Sequence, residues 1–190
     1  MDNTAERGAQ TIETARLRLV WMSPSFMRAS LAGRRQEAEA LIGAALPPAW
    51  PDDAARSVME IRLDQISRSP ATAEWLLRAM VLAATSSVVG YINFHGPPLE
   101  GRAELGYTVF EPYRRQGFAT EAIEGMMDWA ARQHGVERFV VSISPSNEPS
   151  LALARRLGFR RIGSQFDEAE GEEWVFELVR PIKAVEGQAD

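Results

Sequence analysis

The sequence predicts a mixed α/β domain (α+β in its strand order) built around one central sheet. Its 190 residues suit one domain of ordinary size, and 45% hydrophobic residues are enough to form a core. Strand-like and helix-like patterns follow one another in the order strand, helices, three strands, helix, strand, helix and two strands. Some predicted strands follow one another directly and others are separated by helices, and this combination favours a mixed sheet flanked by helices.

The elements of the first third have clear starting signals. Residues 16–21 alternate polar and apolar side chains at first, as a half-buried strand does. Ser23, followed by a proline, predicts the N-cap of a helical region over residues 25–45. Asp52 predicts the cap of a second helix, which runs towards Ser67.

The middle of the chain contains one ambiguous element and three clear ones. Residues 74–84 have a helix-like composition, but their position before a turn and a strand at 88–94 favours the first arm of a hairpin. A further strand is predicted at 102–110. The apolar residues of 119–134 have helical spacing, and Gly135 ends that helix.

The last third is predicted as a buried strand, a short helix and a hairpin. The strand is Phe139–Ile143, and the helix is Asn147–Leu157. The hairpin consists of Phe159–Phe166 and Glu173–Arg180. The expected domain covers residues 14–182, with a disordered lead-in at 1–13 and a flexible tail at 183–190, because both ends are polar.

Composition excludes several classes of function. The chain has no cysteine, which rules out disulfides, cysteine-ligated zinc and a cysteine nucleophile. A net charge of -5 with scattered arginines argues against a nucleic-acid partner. The two histidines, distant in sequence, give no metal-site spacing, so no metal is expected. Without a signal peptide or an apolar run long enough to cross a membrane, the expected location is cytoplasmic.

The strongest functional signal is the segment from Glu104 to Ala122, in which a strand leads through a basic turn into a helix. A helix start offers N–H groups and the positive end of a dipole, Gly117 allows a close backbone approach, and Arg114 and Arg115 add charge. These features suit a pyrophosphate. A nucleoside-triphosphate enzyme is not indicated, because the Gly-Lys-Ser/Thr ending of a phosphate-binding loop is absent.

Three blocks of this sequence resemble the GNAT family of N-acetyltransferases. The turn Arg114-Arg115-Gln116-Gly117-Phe118-Ala119 is similar to the family signature Gln/Arg-x-x-Gly-x-Gly/Ala. A second block is Asn147-Glu148-Pro149-Ser150 with Leu157-Gly158-Phe159 behind it. The opening strand around residues 13–19 resembles the branch that contains the ribosomal-protein N-terminal acetyltransferases. The resemblance covers residues 13–182 and implies a mixed sheet of about seven strands whose middle strands splay apart around acetyl-CoA.

The resemblance also implies the residues that hold the cofactor. Backbone groups of Tyr107 and Val109 pair with pantetheine, and the Asn147 side chain bonds the cofactor, although Asn147 also suits a helix N-cap. The pyrophosphate is held by the turn and helix start, namely Arg114, Arg115, Gln116, Gly117, Phe118, Ala119 and Thr120.

The resemblance assigns the acid that protonates the leaving thiolate to Ser150. Many family members carry a tyrosine seven residues after the asparagine, and here that position is Ala154. Ser150 shares the inward face of its helix with Leu153 and Leu157, from which its hydroxyl reaches the thioester sulfur. The alternative is a first-turn serine that bonds only the backbone.

Two side chains are candidates for the base that deprotonates the acceptor amine. Glu104 shares a strand face with Gly106 and Thr108, and the glycine is expected to leave open space beside the carboxylate. Glu104 also suits a rim carboxylate that binds a cation or forms a salt bridge. His95, in a Gly-Pro-Pro loop, is the reserve candidate, followed by a chain of waters.

The sequence thus predicts an acetyl-CoA-dependent N-acetyltransferase acting in a ternary complex on a primary amine, either a small molecule or a protein N-terminus. The alternative is a CoA-binding sensor or scaffold without catalytic activity. No nucleic-acid or membrane partner is expected, and both a monomer and a homodimer fit the sequence.

Overall fold

The computed structural model describes residues 10–167 and 171–181, which form two compact units. The first unit contains residues up to 97 together with 105–125, and the second contains 98–104 and the residues from 126 onwards. Strand β5 (Arg102–Val109) contributes to both units. The order of strands across the sheet is β1 (Ile12–Glu13), β2 (Leu17–Trp21), β3 (Arg78–Leu82), β4 (Ser87–Phe94), β5, β6 (Arg138–Ile143), β8 (Gly171–Val179) and β7 (Arg160–Asp167). The mixed sheet flanked by helices confirms the predicted fold class.

The first unit contains an antiparallel run of strands. These are β1 (Ile12–Glu13), β2 (Leu17–Trp21), β3 (Arg78–Leu82) and β4 (Ser87–Phe94), and β4 pairs with β5 over Leu105–Val109. β1 corrects the expected lead-in at 1–13, because Ile12 is buried and pairs with Leu19 of β2. A strand of two residues is too short to show an alternating pattern, so it could not be predicted from the sequence. Residues 1–9 lie outside the described part of the chain.

Three helices cover this unit, and their caps follow the predicted signals. They are α1 (Pro24–Leu31), α2 (Arg35–Ile42) and α3 (Asp53–Arg68). Ser23 accepts a hydrogen bond from the Phe26 N–H, and Asp52 accepts one from the Ala55 N–H at 2.8 Å. The ambiguous segment 74–84 contains parts of two elements. Its first residues end a 3-10 turn (Pro70–Trp75), and β3 lies in the remainder.

The second unit pairs three strands with the beginning of β5. The strand β6 (Arg138–Ile143) runs parallel to β5 over Arg102–Glu104 and antiparallel to β8 (Gly171–Val179), which in turn pairs with β7 (Arg160–Asp167). The helix α5 (Glu148–Arg156) lies between β6 and β7 in sequence. The tail expected at 183–190 falls outside the described residues.

The long helix α4 (Phe118–His134) begins in the first unit and ends in the second. Its predicted apolar face is buried, with Ala122, Ile123, Met126, Met127 and Ala130 all excluded from solvent. Gly125 has a specific packing role, because a Cβ atom at this position would come within 2.8 Å of the Thr14 side chain. The first turns of α4 therefore lie directly against the chain that leads into β2.

Among the described residues, no helix has both the length and the apolar character needed to cross a membrane.

Candidate functional site

The turn between β5 and α4 has the backbone shape that the sequence predicts for an anion-binding segment. A short 3-10 turn (Glu111–Tyr113) follows β5, and Arg115 and Gly117 then take positive φ angles of 61° and 83°. These left-handed conformations reverse the chain just before α4 begins at Phe118. The start of a helix offers backbone N–H groups and the positive end of the helix dipole, so this end of α4 can receive a negatively charged group.

Side chains of the turn are exposed and partly folded back onto the backbone. Arg114, Arg115 and Gln116 are exposed, whereas Phe118 is buried. The Arg114 Nε donates to the Val109 carbonyl oxygen at 3.1 Å, and the Gln116 amide donates to the Pro112 carbonyl at 3.2 Å. Arg114 thus holds the end of β5, while Arg115 extends from the turn at one of the two left-handed positions.

The segment just before β2 supplies a side chain at this turn that the sequence analysis missed. Arg16 Nε and Glu121 Oε2 form an ion pair at 2.7 Å, and the Arg16 N–H donates to Glu121 Oε1 at 2.6 Å. The Thr14 hydroxyl donates to the same Oε1 at 2.6 Å. Arg16 Nη1 also donates to the Gln116 carbonyl at 2.9 Å, which joins β2 directly to the turn.

Glu121 remains ionised at neutral pH in this network. Burial acts to raise the pKa of Glu121, but hydrogen bonds from Thr14 and Arg16, together with the Arg16 charge, outweigh burial and lower the pKa below 4.5. A lowered carboxyl pKa stabilises the fold above the unfolded value of 4.5, and this stabilisation is lost as pH falls through the folded-state pKa. The network is therefore intact over the whole neutral range.

A second cluster of polar side chains lies around His95 in the first unit. A Cβ atom at Gly106 would come within 3.0 Å of His95 Nε2 and 3.7 Å of the Asn93 amide, so the imidazole lies against this glycine. The prediction of open space beside Gly106 is therefore wrong, because the His95 side chain occupies that space. The His95 carbonyl also accepts a hydrogen bond from the Gln65 amide of α3 at 2.9 Å.

Aromatic side chains lie on the same face of β4 and β5 as Gly106. The Trp50 ring meets the Tyr91 and Phe110 rings edge to face, at centroid distances of 6.5 Å and 6.1 Å. Burial raises the pKa of the Tyr91 hydroxyl, which outweighs the lowering effect of its hydrogen bond with Thr108. Tyr91 stays neutral at physiological pH, and its hydroxyl provides a hydrogen-bonding group beside the Trp50 and Phe110 rings.

The second unit holds Glu104 in a chain of hydrogen bonds. The Ser142 hydroxyl of β6 donates to Glu104 Oε1 at 2.6 Å, and the Gln165 amide of β7 donates to Ser142 Oγ at 3.1 Å. The same amide nitrogen donates to Glu173 Oε2 of β8 at 3.1 Å. Ser142 and Gln165 were not predicted as site residues, because strand pairing and not sequence spacing brings them to Glu104.

Asn147 and Ser150 meet at the start of α5. Asn147 Oδ1 accepts a hydrogen bond from the Ser150 N–H at 3.2 Å, which is the N-cap geometry that the sequence analysis allowed. This contact uses the amide oxygen and leaves the amide NH2 group to other partners. Ser150 is half-buried on the face that also carries the buried Leu153 and Ala154.

No group of histidine, aspartate and glutamate side chains within residues 10–167 and 171–181 has the arrangement to hold a metal ion.

Comparison with known proteins places these features in a family. The model of the acetyltransferase (GNAT) domain matches residues 16–160, which is most of the chain. The chain belongs to the GNAT acetyltransferase family. This match includes Arg16, the β5–α4 turn, Asn147 and Ser150.

Individual relatives agree with this assignment. The chain is 28% identical over 108 residues to an uncharacterized N-acetyltransferase, p20, of Bacillus licheniformis, a match that covers 54% of this chain and 61% of the relative. It is 34% identical over 80 residues to the alpha/beta-tubulin-N-acetyltransferase 9 of Mus musculus, covering 40% and 33%. The chain spans about half the length of the curated relatives that it matches.

Solved structures share the fold. A putative ribosomal-protein-serine acetyltransferase from Vibrio cholerae aligns with a TM-score of 0.61 at 21% identity, over 90% of this chain and 97% of the other. The microcin C7 self-immunity acetyltransferase MccE, solved in complex with acetyl-CoA and AMP, aligns with a TM-score of 0.60 at 18% identity, over 87% and 93%.

Proposed function

We propose that this GNAT protein transfers an acetyl group from acetyl-CoA to a primary amine. The observation that carries the proposal is the exposed β5–α4 turn, in which left-handed Arg115 and Gly117 precede the start of a long helix. A pyrophosphate fits this arrangement because the helix dipole, the backbone N–H groups and the arginine charge all favour an anion. MccE, which shares the fold, was solved with acetyl-CoA bound.

The same turn and its flanking strand would hold the cofactor along its length. Backbone groups of Tyr107 and Val109 would pair with the pantetheine arm, and the NH2 group of Asn147 would donate to it. The residues assigned to the pyrophosphate are Arg114, Arg115, Gln116, Gly117, Phe118, Ala119 and Thr120. The bound group supplies a thioester carbonyl, an electrophile that the chain's own side chains lack.

The chemistry proposed is direct attack in a ternary complex. The neutral amine nitrogen attacks the thioester carbon, a C–N bond forms, and the C–S bond breaks to release the thiolate. The Glu104 carboxylate takes the proton lost by the acceptor ammonium group. The Ser150 hydroxyl gives its proton to the thiolate and regains one from the attacking nitrogen, which loses its second proton as the amide forms. The Val109 N–H would stabilise the oxyanion. Ser142 fixes the Glu104 carboxylate through the 2.6 Å hydrogen bond, so that its orientation is set before the acceptor binds.

One observation favours the alternative of a CoA-binding sensor without catalysis. Ala154 is buried where many family members carry the tyrosine acid, so only a serine remains at this part of the helix. The two functions are separated by steady-state kinetics with acetyl-CoA and a panel of small amines and peptides with free N-termini. An acetyltransferase gives intersecting initial-velocity lines, whereas a sensor binds CoA in calorimetry and forms no acetylated product.

Replacing Ser150 by alanine should lower kcat about tenfold to a hundredfold and leave the Kd for acetyl-CoA within a factor of about two. The hydroxyl acts only as the C–S bond breaks, so its loss affects the transition state and not the bound ground state. The N-cap bond survives, because Asn147 accepts from the Ser150 backbone N–H and not from its side chain. Wild-type kcat in S150A would show that Ser150 is only a first-turn helix residue.

A further inference from the structure

The Arg16 side chain forms a hydrogen bond with the β5–α4 turn that fixes the orientation of the Gln116–Gly117 peptide plane. Its Nη1 donates to the Gln116 carbonyl, and its Nη2 lies 3.3 Å from the position that a Cβ atom at Gly117 would take. The guanidinium also lies over the Phe118 ring, with 4.6 Å from Cζ to the ring centroid. The Arg16 side chain, which directly precedes β2, thus lies against three consecutive residues, 116–118, about 100 positions later in the chain.

The geometry of the peptide bond gives this contact a consequence for ligand binding. The Gln116 carbonyl and the Gly117 N–H belong to one trans peptide unit, so they point in opposite directions. When Arg16 holds the carbonyl, the Gly117 N–H must point away from Arg16. Gly117 has a φ of 83° and no side chain, so nothing intrinsic to this residue would otherwise keep the peptide from rotating.

Glu121 and Thr14 hold Arg16 itself in place. The Glu121 carboxylate binds the Arg16 Nε and backbone N–H and the Thr14 hydroxyl, and Glu121 lies one turn into α4. The Glu121 side chain is only 15% exposed, and the close packing of Gly125 against Thr14 brings this helix turn to β2. The contacts with Glu121 therefore fix the position of the Arg16 guanidinium at the turn.

We propose that Arg16 is a positioning residue for the phosphates of CoA, acting by locking the Gln116–Gly117 peptide so that its N–H points to the anion. The proposal rests on the β5–α4 turn as the pyrophosphate site. Arg16 is 46% exposed, and an exposed ion pair adds little to stability, so its main contribution is to the shape of the turn. The Thr14-Ala15-Arg16 segment of the opening block thereby has a role in cofactor binding.

The test compares ligands that carry the pyrophosphate with one that does not. Calorimetric Kd values for CoA and 3′-phospho-ADP should both rise about 10- to 50-fold in R16A, because a preorganised phosphate contact is lost. Acetyl-pantetheine, which has no pyrophosphate, should bind R16A and wild type with the same Kd. The Tm should change by no more than about 4 °C.

Three further variants make the result specific. R18A, two residues further along the chain and within β2, should bind CoA like wild type. R16K keeps the charge but cannot bond Glu121 and Gln116 together, so it should recover only part of the affinity. E121Q keeps its side-chain size, removes the ion pair, and should weaken CoA binding a few-fold; it provides the test if R16A does not fold.

Either of two results would overturn the positioning role. A CoA Kd in R16A within a factor of two of wild type would remove Arg16 from cofactor binding. Full recovery in R16K would assign its effect to charge instead of position. Failure of the wild-type protein to bind CoA would be a different outcome, since it would contradict the proposed cofactor site itself.

Discussion

The E104Q variant should lose most of its activity at neutral pH and regain part of it as pH rises. Glutamine keeps the size of the glutamate and can still accept the hydrogen bond from Ser142, which is 2.6 Å in the wild-type protein, but it cannot take a proton. The acceptor amine is mostly protonated at neutral pH, so an enzyme without its base depends on the small neutral fraction. A loss in kcat of about 100-fold near pH 7 is expected, and it should shrink at alkaline pH, where more of the amine is neutral.

The measurement is kcat against pH at saturating acceptor, and His95 supplies the matched control. H95Q removes the imidazole that lies against Gly106 and leaves the Glu104–Ser142 chain in place. If Glu104 is the base, H95Q keeps the shape of the wild-type pH profile and E104Q does not. Parallel profiles for E104Q and wild type would remove Glu104 from the mechanism, and a changed profile in H95Q would transfer the role to the histidine.

The G117V variant should bind CoA at least about 100-fold more weakly than wild type. Gly117 has a φ of 83°, a conformation that a β-branched residue adopts only with strain, and its new Cβ atom would lie 3.3 Å from Arg16 Nη2. Relief of either conflict would rotate the peptide that we propose to face the pyrophosphate. The added side chain also occupies the space through which the backbone approaches the ligand.

Calorimetry with CoA checks this prediction, and G135V controls for backbone strain alone. Gly135 ends the same helix with a φ of 69°, and nothing lies within 4 Å of a Cβ atom placed there. G135V should lose stability and keep its CoA affinity in the folded fraction. Equal CoA affinities for G117V and wild type would show that the turn does not hold the cofactor.

The sequence predicted the elements that depend on local signals. Asp52 and Ser23 cap their helices as expected, and the apolar face of α4 is buried where its spacing indicated. Helix caps and periodicity involve residues within a few positions of each other, so a single sequence contains them. The segment 74–84 was less certain because its hairpin partner determines its state more than its own composition does.

The parts that escaped prediction depend on contacts between distant residues. Arg16 and Glu121 lie 105 residues apart, and Ser142 and Glu104 lie 38 apart, so no spacing within one element reveals either pair. The same reason explains the error at Gly106, where His95 fills the space that the alternating pattern of β5 suggested was open. The resemblance to the GNAT family predicted the cofactor role of the turn, and the structure shows that Arg16 and Glu121 lie against it.

The central claim is that this chain moves an acetyl group from CoA to an amine, and transfer of label tests it most directly. The protein is incubated with acetyl-CoA labelled in the acetyl group and with a panel of small amines and peptides with free N-termini, and acetylated amine and free thiol are both measured. We expect labelled product and thiol in equal amounts with wild type, and little of either with E104Q at neutral pH. Tight CoA binding by the wild-type protein without product on any amine would contradict it and support the sensor alternative.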